Sequence, residues 1–429
     1  MPAPKYPHPN ADVRMRGFAQ RTTVDDALAW VDSALPEFGD LDVEDVSLLS
    51  AAGRVLGRDV VSRVNVPGFA RAMMDGFALV AEDTQGATSY NSLPLKILGT
   101  SLPSAAFSGR VAAGRAVRIM TGAPLPEGAD AVLPIENAQL DGQRVLVLGE
   151  VSPGKHVGQL GEDVRAGDMV ERAGRVLRPQ DIGMLSSLGF SHAQVIRRPR
   201  VRILITGNEL LPMGTPPAGF RITDANGPML AALVARDGGA AVAGPIVPDD
   251  RDAILAALRD EADVVLVSGG SSVGQEDHVP SLLAEHGELA VHGIAMRPSS
   301  PTGMGRLAGT RHTDQPGAGS RLVFLLPGNP VSCLCAYDFF AGRAIRALGG
   351  RSRDWPYRRV TARLSRKLVS VVGRVDYARV SISGSSAEPL AISGASVLSS
   401  VTRADGFVIV PMDSEGFPEG TEVEVFLYQ

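Results

Sequence analysis

The chain has 429 residues, 44% of them hydrophobic and 21% charged, with a formal net charge of −5. That length exceeds what one ordinary core can organise and calls for about two to four domains. The slight acidity, without any Lys/Arg block, excludes a general nucleic-acid binder. The cysteines, Cys333 and Cys335, fit neither a metal knuckle nor a redox pair, which points to a reducing, cytoplasmic compartment. The Pro-rich stretch Met1 to Asn10 has no apolar signal region, and no apolar run is long enough to span a bilayer, so neither secretion nor a membrane is expected.

Thr23 is placed to cap a helix whose apolar positions Val24, Ala27, Leu28, Val31 and Leu35 follow helical spacing, with Asp26 as the capping partner. From Val55 to Val170 the pattern changes to short β-like runs broken by Gly and Pro, at 78–80, 95–98, 116–120, 131–134 and 145–148. This predicts a β-rich domain over 55–164. A helix at 182–188 is expected to pack beside the N-terminal helix, giving a discontinuous helical unit of 15–54 and 165–197.

From Val201 the period changes again. Strands are predicted at 201–206, 241–247, 263–268, 290–296 and 321–326. Helices are predicted at 228–236 with Asn226 available as cap, at 252–259, at 279–286 with Pro280 in the first turn, and at 331–348. Such alternation implies a doubly wound, mainly parallel sheet covered on both faces, over 198–349. The polar, Gly-rich stretch 308–320 reads as a hairpin loop. After Gly349-Gly350, short β runs at 359–364, 378–382, 406–410 and 422–427 predict a small C-terminal β-barrel or sandwich over 350–429.

In an open parallel sheet, ligands bind beyond the carboxyl ends of the strands. Those ends carry Thr206-Gly207-Asn208-Glu209, then Asp249-Asp250, then Ser268-Gly269-Gly270-Ser271-Ser272-Val273-Gly274 with Asp277, then Pro327-Gly328-Asn329-Pro330. The Gly/Ser run is either a tight turn or a phosphate cradle, because bare backbone N–H groups before a helix accept an anion. Pro327-Gly328-Asn329-Pro330 is either a stiff helix-launching turn or a second anion-facing turn. Each of Glu209, Asp249 and Asp277 taken alone is a helix cap or a solvated acid. Together at one rim they repel unless a cation neutralises them, and hard oxygen donors suit Mg²⁺. The seven histidines include no pair at ligand spacing, which argues against a zinc site or a nucleophilic hydrolase.

Several segments taken in order resemble one family, the molybdopterin molybdenumtransferases (MoeA in bacteria, the E domain of gephyrin in animals). They are Pro67-Gly68-Phe69, Met74-Asp75-Gly76-Phe77-Ala78, Arg118-Ile119-Met120-Thr121-Gly122-Ala123-Pro124, Gly161-Glu162-Asp163, Thr206 to Leu210, Asp224-Ala225-Asn226, Ser268 to Asp277, and Pro327 to Ser332. The resemblance implies a four-domain subunit in a homodimer whose active site is shared between subunits. It implies Mg²⁺-dependent transfer of molybdenum from molybdate to adenylylated molybdopterin, with release of AMP. A molybdopterin adenylyltransferase and apo-molybdoenzymes are the protein partners it suggests. By resemblance, Asp75, Thr121, Asp277 and Arg297 are catalytic, Asp75 and Thr121 reaching the site from the partner subunit. Ser268, Gly269, Gly270, Ser272, Gly274, Asn226, Pro298, Ser300, Pro301, Pro327, Gly328, Asn329 and Pro330 contact substrate, and Glu209, Asp249 and Asp277 hold the metal.

Three positions depart from the family's pattern. Arg297-Pro298-Ser299-Ser300-Pro301 stands where two lysines are usual, Arg71-Ala72 where Asn-Ser is usual, and Gly158 where arginine is common. Exchanging lysine for arginine keeps the charge but changes its shape, whereas Ser300 removes a charge. These departures leave three readings: an insertase whose oxyanion site is rebuilt around Arg71 and Arg297, a related insertase handling tungstate, or a non-catalytic paralogue that binds molybdopterin or partner enzymes as carrier or scaffold.

Overall fold

In the computed structural model, which describes residues 21–269, 278–308, 320–391 and 394–428, the chain separates into two units. One comprises residues 45–195; the other comprises residues from 196 onward together with the segment before Asp45.

The first unit is built on a six-stranded sheet in the order 131–134, 76–79, 115–119, 93–101, 144–147, 138–141. All its pairings are antiparallel except that of 93–101 with 115–119. Alternate residues of these strands, among them Phe77, Leu79, Leu95, Leu133, Val145 and Val147, bury one face. A separate core joins Leu48, Ala51 and Leu56 to Leu177, Leu185 and Val195. It seats the helix Pro179–Ser187. Asp181 fixes the start of that helix, accepting from the Arg178 N–H at 2.8 Å and from the Arg175 and Arg178 guanidinium groups.

The N-terminal helix Val24–Ser33 begins as its sequence predicts, with Thr23 Oγ1 accepting from the Asp26 N–H at 3.1 Å and donating to the Asp26 carboxylate at 2.8 Å. Its place differs from the expectation. Val24, Ala27 and Val31 enter the core of the second unit, and Asp32 takes a bidentate bond from Arg343 at 2.8 Å on both oxygens. The helix at 179–187 packs on Leu48 and its neighbours instead. Helical periodicity shows that a face must be buried but not against what, so the two helices do not share a core.

The second unit holds the doubly wound sheet, in the order 240–243, 200–205, 264–268, 321–326, 303–307, 287–292. The first four strands are parallel and the last two antiparallel. The period of two splits each central strand between two cores. Val201, Ile203, Ile205, Val264, Leu266 and Phe324 face the helices at 226–236 and 330–348. Leu204, Val265, Val267, Val323 and Leu325 face Ile254, Leu258, Leu282 and Leu283. Both faces are therefore apolar, as parallel strands require. C-terminal strands 375–383, 386–391, 358–364, 422–427 and 406–410 pair in that order, and 406–410 pairs back to 375–383 to close a five-stranded barrel. Met296–Arg297 adds to this barrel beside Val375 and Asp376.

The long helix predicted at 331–348 runs from Pro330 to Leu348, with a π-helical stretch at Tyr337–Ala341. That stretch carries Asp338, a carboxylate with no solvent exposure. Arg236 Nη2 reaches it at 3.0 Å and the Tyr357 hydroxyl donates to it at 2.9 Å. Asp237, equally buried, takes Arg236 and Arg346 at 3.0 Å each. Removing one member leaves a buried charge uncompensated. Arg236→Ala is therefore expected to destabilise the protein by about 3–5 kcal/mol, and Tyr357→Phe by about 1 kcal/mol. Denaturant midpoints measured with tryptophan fluorescence check both, since Trp355 donates to the Asp338 carbonyl at 2.8 Å.

Candidate functional site

The carboxyl ends of the parallel strands form a rim whose parts are tied to one another. After the strand 200–205, Thr206 is buried; its N–H donates to the Ser268 carbonyl at 3.1 Å and its hydroxyl to Asp249 Oδ1 at 2.6 Å. Asp249 Oδ2 accepts from the Asn208 N–H at 3.0 Å. Asp249 thus ties two strand ends together, while Asp250 is the one that caps a helix, accepting from the Ala253 N–H at 2.9 Å. Glu209 is exposed and folds back over Gly207, where a Cβ would stand 2.7 Å from its Oε2.

The third strand ends at Ser268, and the chain then turns at Gly269 with φ +102°. A Cβ there would lie 2.1 Å from the Thr206 carbonyl oxygen. Only glycine combines that dihedral with so close a backbone approach. Gly270, Ser272, Gly274 and Asp277 lie outside the described residues. Among those described, no three His, Cys, Asp or Glu side chains gather as a metal cluster.

Asn226 is not the cap that its position suggested. Asp224 takes that role, its Oδ1 accepting from the N–H groups of Asn226 at 2.9 Å and Gly227 at 3.0 Å. This frees the Asn226 amide to turn inward. Its Nδ2 donates to Ser268 Oγ at 2.8 Å and to the Gly328 carbonyl at 2.8 Å. Gly269 and Gly328 are neighbours, for a Cβ on Gly328 would stand 3.9 Å from the Gly269 Cα. The helix start at 224–226, the end of the strand at Ser268 with Gly269, and the turn predicted at 327–330 therefore meet at one place. Pro327 is buried, Gly328 and Asn329 are exposed, and Pro330 opens the helix.

The segment 297–301 is tied to the barrel at its start. The Arg297 guanidinium closes on Asp376, with Nε at 3.1 Å from Oδ1 and Nη2 bonded to Oδ2. Asp376 has no solvent exposure, and it also accepts from Ser370 Oγ at 2.6 Å and faces Arg374 Nε at 3.2 Å. In this geometry Arg297 anchors its strand to the barrel through Asp376. The missed signal was Asp376 itself, an acid inside an apolar strand pattern, which burial obliges to find a cation. Pro298 is buried and Pro301 half-buried. Ser299 Oγ donates to the Ser332 carbonyl at 2.6 Å, and Ser300 Oγ is buried with no partner among the described residues.

In the unit of residues 45–195, Asp75 and Thr121 do come together. Asp75 Oδ1 accepts from the Thr121 N–H and hydroxyl, both at 2.7 Å. These bonds stabilise the charged form and hold the Asp75 carboxyl below the usual range. Nearby, Arg71 is the cross-strand partner of Gly158 and bonds Glu162 Oε1 at 3.1 Å. Glu162 Oε2 accepts from the Gln159 N–H at 2.9 Å. A Cβ on Gly158 would meet Glu162 at 2.9 Å and Arg71 Cγ at 3.3 Å. The Glu162 carboxylate and the stem of Arg71 together fill the space that the glycine leaves.

Residues 22–189 match the family model described as "MoeA N-terminal region (domain I and II)". Residues 202–347 match "Probable molybdopterin binding domain", and residues 361–428 match "MoeA C-terminal region (domain IV)". The chain is 34% identical over 395 residues to molybdopterin molybdenumtransferase 2 of Mycobacterium tuberculosis, covering 89% of this chain and 94% of that protein. It is 29% identical over 391 residues to the molybdopterin molybdenumtransferase of Haemophilus influenzae, covering 89% and 93% respectively. The crystal structure of a molybdopterin biosynthesis MoeA protein from Pyrococcus horikosii is similar with a TM-score of 0.81 at 31% identity, over 96% of this chain and 100% of that one.

Two outcomes check this geometry. Gly269→Ala is expected to destabilise the chain by about 2–5 kcal/mol, through the strained dihedral and the clash with the Thr206 carbonyl, measured by thermal and chemical denaturation. Thr121→Val removes one donor to the charged form, so the Asp75 carboxyl should titrate at higher pH, nearer the usual range, when followed by carboxyl-carbon NMR. An unmoved titration would show that the hydroxyl bond has no hold on Asp75.

Proposed function

The chain belongs to the molybdopterin molybdenumtransferase (MoeA) family, and from that premise we propose that it inserts molybdenum into molybdopterin. The substrates are adenylylated molybdopterin and molybdate. The phosphoanhydride is cleaved with water as the acceptor, AMP leaves, and the dithiolene takes the metal. The observation that carries this reading is the joining of two strand ends to a helix start through Asn226. It brings Gly269 and Gly328 side by side at the carboxyl end of a parallel sheet, the part of such a fold that supports binding of an anionic ligand.

Within this reading, Ser268 and Gly269 meet a phosphate, and Pro327 to Pro330 line the same cleft. Glu209, Asp249 and Asp277 would hold Mg²⁺; the donor set is hard oxygen throughout, and the Asp249 carboxylate is already oriented by Thr206 and Asn208. When bound, the ion supplies charge neutralisation at the bridging phosphates. Asp75, kept ionised by Thr121, serves the site of the partner subunit in a homodimer, and Arg71 brings a positive charge to the same loop. We place the protein in the cytoplasm, where it exchanges substrate with a molybdopterin adenylyltransferase and apo-molybdoenzymes.

One observation favours a second reading, that of a non-catalytic carrier or scaffold. Arg297 is committed to Asp376 and Ser300 carries no charge, so the segment offers less attraction to an oxyanion than two free lysines. Purified protein given adenylylated molybdopterin, Mg²⁺ and molybdate distinguishes the two. Release of AMP and restoration of an apo-molybdoenzyme are expected, with loss of at least about 100-fold in rate for Asp277→Ala. Tight substrate binding without AMP release would establish the carrier instead.

A further inference from the structure

We infer that a cavity in the second unit, walled by Phe339, Trp355 and Phe426 and edged by Asp25, Asp354 and Asp413, binds a small organic cation, an ammonium group carried on a short apolar body. None of the strand-end residues of the rim lines this cavity, so its ligand is separate from the substrate proposed above.

The cavity measures about 530 Å³. Packed interiors leave few voids larger than a water molecule, whereas small-molecule sites begin at roughly 300 Å³. Four stretches far apart in sequence build it. The first turns of Val24–Ser33 supply Val24 and Leu28, and the π-helical stretch supplies Phe339. The segment 353–359 crosses between them, and the barrel contributes Ile409 and Met412.

Trp355 decides what the wall offers. Its Nε1 donates to the Asp338 carbonyl at 2.8 Å, so the one donor of the indole is spent within the fold. Phe339 and Phe426 each meet the indole edge to face, with ring centroids 4.9 Å apart. The rings thus offer apolar surface and π-electron density, which attracts a cation. One such contact already exists in the wall, where the Arg359 guanidinium lies over the Phe426 ring at 5.1 Å.

The charges select the same sign. Arg343 spends Nε and Nη2 on the two oxygens of Asp32, and Arg353 Nη1 lies 3.4 Å from the same carboxylate. The hydrogen bonds from Arg343 hold the Asp32 carboxyl below its usual range, so it stays ionised between the two arginines. The third guanidinium of the lining, Arg359, faces Glu424 at 3.6 Å. With these partners included, carboxylates outnumber guanidiniums around the cavity, and Asp25, Asp354 and Asp413 stand exposed along its lining. An entering anion meets that excess of negative charge, and an entering cation neutralises it.

Phenethylammonium is the probe, titrated into the full chain by calorimetry, with phenylethanol and phenylacetate as neutral and anionic counterparts of similar shape. The ammonium is expected to bind saturably and about 10-fold more tightly than phenylethanol, with phenylacetate the weakest. Added salt should narrow that difference. Asp25→Asn combined with Asp413→Asn, both at exposed positions, should remove most of the preference for the cation and leave phenylethanol binding unchanged. Trp355→Leu should weaken the ammonium about 10-fold, and Trp355→Phe should restore most of the loss.

Equal affinity for the three probes, or a preference for the cation that survives both asparagine substitutions, would overturn the inference. So would the lack of saturable phenethylammonium binding by the folded, unaltered chain. Should Trp355→Leu not fold, the two asparagine substitutions decide alone. Each of these failures leaves the proposed insertion of molybdenum standing, since no residue of the rim is altered.

Discussion

The two hydrogens of one amide hold the rim of the α/β sheet together. Asn226 spends them on Ser268, the last residue of one strand, and on Gly328, just past the end of the strand paired with it. The turn at Gly269 adds the second constraint, since it passes too close to Thr206 for any side chain. Thr206 in turn holds Asp249. Each described segment of this rim is held by a neighbour's backbone or by a buried side chain. Such preorganisation lets a site meet developing charge without rearranging at the moment of reaction.

Charge is distributed with equal economy. Arg297, Arg374 and Asp376 form a group with one positive charge in excess, placed where the sheet's last segment joins the barrel. Arg71 is likewise held by Glu162. Arginine suits this dual use, because its planar fork binds a carboxylate on one edge and keeps its charge under all ordinary conditions. Arg71 and Gly158 are opposite one another on paired strands, and each explains what the other lacks.

Away from the rim, the buried Asp237, Asp338 and Arg346 with the half-buried Arg236 and Tyr357 join the helix at 226–236 to the π-helical stretch and to the segment leading into the barrel. Aromatic rings continue the connection, with Phe407 stacked between Tyr377 at 4.1 Å and Phe426 at 5.1 Å. Through these contacts the sheet domain and the barrel form one unit, and Arg297 is fixed from the barrel side.

Much of this was legible in the residues. The alternation of apolar runs and amphipathic helices from Val201 onward required a doubly wound sheet, because strands apolar on both faces must be covered twice. Thr23 with Asp26 marked a helix start, and the strand-end turns marked the rim. The partners were not legible. Periodicity could not show that Val24–Ser33 packs with the second unit, since it gives the buried face and not its neighbour. Residue type and order thus determined the elements, the family and the strand-end segments that form the rim. Only the tertiary structure decided that Asp249 braces Thr206, that Asp376 claims Arg297, and that Asp224 caps the helix in place of Asn226. Hydrogen bonds between residues far apart in sequence depend on distances that the folded chain alone creates.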